Sequence, residues 1–139
     1  MKRILKKPEK EKLIKDIKLF LIAEMPHIKA AYIFGSFNYD ESFSDIDIGI
    51  LLEEAPSDPM SFELELEAVL YGLLHIPVDI RILNQAPISF SQNVIRNGMV
   101  ILDQDSNLRA DFENLTLKKY FDFSFFRRRY LEDVSHAPL

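Results

Sequence analysis

The chain has 139 residues, 47% hydrophobic and 28% charged, and a net charge of −5. This length allows one domain with a buried core, and the acidic balance argues against broad nucleic-acid binding, which runs on phosphate neutralisation. Without cysteines there are no disulfides or thiolate metal sites; no apolar run reaches the roughly 20 residues of a membrane span, and the lysine-rich start is too polar for a signal peptide, so a soluble, cytoplasmic protein is expected.

Residues 8–25 predict an amphipathic helix, with Leu13, Ile17 and Leu21 on one stripe, widened by Ile14 and Phe20. Lys10, Lys12, Lys15 and Lys18 read as its solvated side, and Pro26 stops it. His27 reads as a loop residue. Ile28–Phe34 is a strand whose nearly continuous apolar character predicts burial on both faces.

That strand ends at Gly35-Ser36, where the backbone is free to approach a ligand and offers N–H groups and a hydroxyl to a phosphate. After a polar loop a second strand, Ile46–Leu52, opens with Asp45 and Asp47. Strand side chains alternate, so these two carboxylates share one face and Ile46, Ile48, Ile50 and Leu52 the other. Neighbouring carboxylates repel, and they need a shared proton or a cation between them. A hard divalent ion such as Mg²⁺ or Mn²⁺ suits oxygen ligands. Phosphate donors facing a metal pair across a loop point to metal-assisted nucleotidyl transfer.

Ser57-Asp58-Pro59 predicts a capped helix over 59–74, followed by His75, read as structural. Ile76–Leu83 is a third strand, with Val78, Ile80 and Ile82 inward and Asp79 and Arg81 opposite. An Asp in so apolar a strand calls for a cation or a partner; beside the second strand, Asp79 would join Asp45 and Asp47. Arg81 is placed either to pair with Asp79 or to hold a phosphate. Pro87–Asn97 predicts a short helix with Asn97-Gly98 as a left-handed stop, and Met99–Leu102 an edge strand. A last helix, capped by Asp105 or Ser106, carries Leu108, Phe112 and Leu115, then Tyr120, Phe121, Phe123, Phe125, Phe126 and Tyr130. So many aromatics on one helix predict a face for a partner or another subunit, and Arg127-Arg128-Arg129 a solvated or partner-facing run.

Gly35-Ser36, then Ser44-Asp45-Ile46-Asp47, then Val78-Asp79-Ile80 resembles the signature of the DNA polymerase β-like nucleotidyltransferases. At this length, with its aromatic C-terminal helix, the chain looks most like the MNT (minimal nucleotidyltransferase) antitoxins of HEPN toxins. The resemblance implies an α/β (α+β) fold with a small mixed sheet of about four strands and helices packed on one face. A single domain over 1–139 would close with the aromatic helix of 105–135.

The resemblance further implies that Gly35 and Ser36 bind the triphosphate of ATP and that Asp45, Asp47 and Asp79 hold two Mg²⁺ ions. Asp79 would also help to deprotonate the attacking hydroxyl. AMP would pass to a tyrosine of a cognate HEPN ribonuclease toxin and neutralise it. The alternatives are an antitoxin that masks the toxin by contact alone, and nucleotidyl transfer to a small molecule such as an aminoglycoside. The chain departs from the family in two ways. The eight residues between Ser36 and Asp45 are a shorter interval than usual, and Asn38-Tyr39-Asp40-Glu41 stands where an Arg-Gly commonly follows the Gly-Ser.

Overall fold

The computed structural model of the chain describes residues 2–135. Its elements in order are β1 (Arg3–Ile4), α1 (Lys7–Glu24), β2 (Ile28–Phe34), α2 (Ser36–Tyr39), β3 (Ser42–Phe43) and β4 (Ile46–Leu52). They continue with α3 (Pro59–Leu74), β5 (Val78–Ile82), α4 (Ile88–Asn97), β6 (Met99–Asp103) and α5 (Ser106–Ser135). Four strands form one mixed sheet in the order β5-β4-β2-β6. β2 pairs antiparallel with β4 and β6, while β5 runs parallel to β4 because α3 carries the chain back across the sheet.

Strand alternation sorts the side chains into two layers. Ile46, Ile48 and Ile50 of β4, Val78, Ile80 and Ile82 of β5, and Ala31 and Ile33 of β2 pack with Ile17 and Leu21 of α1 and Leu66 and Leu70 of α3. On the opposite face, Ala30, Tyr32 and Leu51 meet Val94 of α4, with Leu108 and Phe112 of α5 beside them. The expected helices on one face are therefore α1 and α3; α4 and α5 add a second layer that covers part of the other face. Both helix layers follow from β2, an apolar strand buried along nearly its whole length.

The caps account for several boundaries. Asp58 accepts from Ser61 N at 3.2 Å, and Pro59 fits the first turn of α3. His75 closes that helix in the left-handed region at φ 57°. Asp105 accepts from Leu108 N at 3.0 Å and caps α5. The left-handed stop expected at Asn97-Gly98 is not formed: Gly98 is extended, at φ −83°. A glycine is needed there for space, since a Cβ would stand 2.5 Å from the Val94 carbonyl oxygen and 3.2 Å from that of Ile33.

β5 is an edge strand, and its outward N–H groups are not left open. Glu67 accepts from Ile80 N and Glu63 from Ile82 N, each at 2.9 Å. One helical turn separates the two glutamates, and alternate residues separate the two amides, so α3 lies along the edge and completes it with side chains.

Candidate active site

The hairpin of β2 and β4 delivers the first half of the site. Gly35 leaves β2 at φ 77°, a conformation other residues rarely adopt, and a Cβ there would collide with Oδ2 of Asp47. The glycine that begins the polar loop is thus in contact range of the carboxylate that begins β4. Ser36 follows, half-buried, at the start of the one-turn helix α2. Phe37 and Phe43 pack edge-to-face beneath the turn, with ring centroids 4.8 Å apart.

The parallel pair delivers the second half. In the β4–β5 register Asp47 stands directly opposite Asp79. Asp45 precedes β4 by one residue and shares the parity of Asp47. The sequence-predicted carboxylates are therefore brought together on the sheet face that α4 and α5 leave partly open. Their charges interact: the Asp47 carboxyl is pushed up to about 6, first by burial and then by the charges of Asp45 and Asp79, with Arg81 opposing.

Arg81 Nε lies 3.6 Å from Asp79 Oδ1, and both side chains are about half exposed (58% and 42%). Such a pair contributes little. Among the described residues no three acidic or imidazole groups stand closed into a metal cage. The strand register fixes where these carboxylates originate, and a rotamer change at an exposed side chain is a picosecond-to-nanosecond event. Three oxygen-donor side chains on one sheet face, one of them raised in pKa by burial and then by the other two, are the donor chemistry that suits a hard divalent cation.

Beyond Arg81 a cleft of about 380 Å3 opens between α3, β5 and α4, walled by Pro56, Pro59, Pro87 and Phe90. The sheet order thus sets a line of features: the Gly35-Ser36 loop on β2, the carboxylates on β4 and β5, and the cleft at the β5 edge.

One residue of this region was misread from sequence. Lys10, expected on the solvated side of α1, is half-buried and donates from Nζ to the carbonyl oxygens of Phe37 and Asp40, each at 2.8 Å. The signal was present, because Lys10 falls four residues before Ile14, seven before Ile17 and eleven before Leu21, on the buried stripe itself. Asp40 and Glu41 are exposed, so the loop's own acids are solvated.

The chain matches a family model described as polymerase beta, nucleotidyltransferase, over residues 15–107. No curated protein matches it. Among solved structures it is similar to the MNT antitoxin in complex with a tri-AMPylated HEPN toxin of Shewanella oneidensis, at 25% identity and TM-score 0.71, covering 91% of this chain and 98% of that one. A toxin–antitoxin structure with AMP-PNP is likewise 25% identical at TM-score 0.71, covering 88% of this chain and 98% of that one. The MntA–HepT toxin–antitoxin structure is 24% identical at TM-score 0.69, covering 90% and 98%.

Proposed function

The chain belongs to the polymerase beta nucleotidyltransferase family, and from that membership we propose that it is a Mg²⁺-dependent antitoxin that transfers AMP from ATP to a tyrosine of a cognate HEPN ribonuclease toxin. The observation that carries the reading is the juxtaposition of Gly35, Asp47 and Asp79: a positive-φ glycine packed against the Asp47 carboxylate, which stands opposite Asp79 in the strand register. The similar structures, one with an AMPylated toxin and one with AMP-PNP, support the nucleotide and the acceptor class.

In this reading Gly35 and Ser36 hold the β- and γ-phosphates. Asp45, Asp47 and Asp79 hold the two metal ions, which when bound neutralise the phosphate charge and polarise the α-phosphorus. The tyrosine oxygen attacks that phosphorus, its proton passes to the Asp79 carboxylate, and the bond to the β-phosphate oxygen breaks to release pyrophosphate. In-line displacement puts nucleophile and leaving group on opposite sides, and the cleft beyond Arg81 lies on the side away from the Gly35-Ser36 loop. The chain's contribution is positioning and charge, with no covalent intermediate on the protein.

The test is intact mass spectrometry of the partner toxin after incubation with this chain, ATP and Mg²⁺. Increments of one AMP, lost in Asp45→Asn/Asp47→Asn, are expected. A stable complex with no mass change would instead support the second reading, neutralisation by contact, which the exposed aromatic residues of α5 favour.

A further inference from the structure

We propose that Lys10 is a positioning residue for the nucleotide loop, its ammonium holding the turn from Gly35 to Asp40 in the shape that receives a triphosphate. The inference rests on reading that loop as nucleotide-binding. It assigns the restraint to a residue before the span matched by the family, which begins at residue 15.

A four-residue helical turn is too short to be stable by itself. At its ends the turn is closed by Asn38 N→Gly35 O (3.0 Å) and Asp40 N→Ser36 O (2.8 Å), and Asn38 Nδ2 reaches the Asn97 carbonyl at 3.4 Å. No lysine or arginine occurs between Ser36 and Asp45 to add a local anchor. Lys10 supplies one from outside. Two of its three ammonium protons are taken by the Phe37 and Asp40 carbonyls, and Nζ stands 5.0 and 5.2 Å from the ring centroids of Phe37 and Phe43.

The lysine in turn is carried by α1, whose Ile17 and Leu21 are fully buried, so the anchor is rigid. A second brace sits at the far end of the loop, where Arg3–Ile4 pair with Ser42–Phe43. The first ten residues thus grip the loop at both ends. Lys10 binds backbone carbonyls and not the reacting atoms, so it acts through the loop. A loop ordered before binding spends less of the ligand's affinity on its own ordering.

The experiment compares the full chain with Lys10→Met, which keeps the aliphatic stem, and Lys10→Arg, which keeps the charge. Amide hydrogen exchange is measured without nucleotide, and the Kd for MgATP by calorimetry. In Lys10→Met we expect the Asn38 and Asp40 amides to exchange about tenfold faster with the sheet amides unchanged, and Kd to rise roughly tenfold, the scale of one lost charge-assisted hydrogen bond. Lys10→Arg recovers most of both. Unchanged exchange at Asn38 and Asp40, an even loosening of the whole chain, or a loosened loop with unaltered Kd would each overturn the assignment. A wild-type chain that binds no MgATP would overturn the nucleotide reading instead, and the exchange contrast would still decide whether Lys10 holds the loop.

Discussion

Asp47 shows what grouped carboxylates cost a small fold. Its carboxyl titrates near 6, raised from 3.8 by burial and by two neighbouring carboxylates. The folded state therefore keeps this proton after the unfolded chain has released it, and stability falls as pH rises through the window from about 4 to about 6. Above that window the full cost is present; below it there is none. Two pKa units would amount to about 3 kcal/mol, and solvent screening at a half-exposed side chain reduces this to on the order of 1 kcal/mol. Asp47→Asn is thus expected to be inactive and yet more stable, by about 3 °C in Tm at pH 7.5 in the presence of a chelator, with the difference gone near pH 4. Thermal unfolding at the two pH values checks it. The shared face of Asp45, Asp47 and Asp79 was legible in the sequence, because two aspartates opening one strand and a third inside an apolar strand contradict strand propensity. Lys10 was not, because one more lysine among several reads as surface until the stripe is counted through it.

At the scale of elements, β2 falls where its apolar run puts it, β4 where its alternation puts it, and α3 where the Asp58-Pro59 start puts it. The two-residue strands β1 and β3 and the single turn α2 escaped, because pairs of residues carry no period; their shapes come from tertiary contacts. The glutamates of α3 are a further case. In the sequence Glu63, Glu65 and Glu67 favour helix over strand and say nothing of a partner, and in the fold Glu63 and Glu67 finish the β5 edge. Replacing both by alanine removes the acceptors of two edge amides, at on the order of 1 kcal/mol each, and opens the edge to a strand from another molecule. The Glu63→Ala/Glu67→Ala chain is expected to scatter light progressively at micromolar concentration. The double Gln variant, which retains the carbonyl acceptors, is expected to stay clear.

For the molecule as a whole, α5 is the element with two environments. Its first half is tied down: Tyr32 on β2 donates to Glu113 Oε1 at 3.0 Å, and Arg109 bridges Glu113 and Asp103, each at 2.9 Å. Burial and the Glu113 charge push the Tyr32 hydroxyl well above its ordinary range, so it stays a donor at any working pH. From Phe125 to Ser135 every residue is exposed, with Phe125, Phe126, Tyr130, Leu131 and Val134 among them. The sequence predicted surplus aromatic surface on this helix, and that surface is present. Phe126→Ser/Tyr130→Ser is expected to leave Tm within about 1 °C, as for surface changes generally, and to weaken the complex with the proposed partner at least tenfold. Calorimetric titration of the partner would show it, and an unaltered Kd would place the partner elsewhere.

The pairing of Asp47 with Asp79 has one further consequence. A slip of one residue between β4 and β5 would not simply misplace a carboxylate. It would turn Asp79 and Arg81 into the layer that holds Ile48 and Ile80, and expel Val78, Ile80 and Ile82 to the open face. The alignment of Asp47 with Asp79 and the burial of the core are thus read from the same alternation. The fold proofreads its own carboxylate pairing, because a chain in the wrong frame loses its core along with that pairing and does not persist as an intact but misaligned copy.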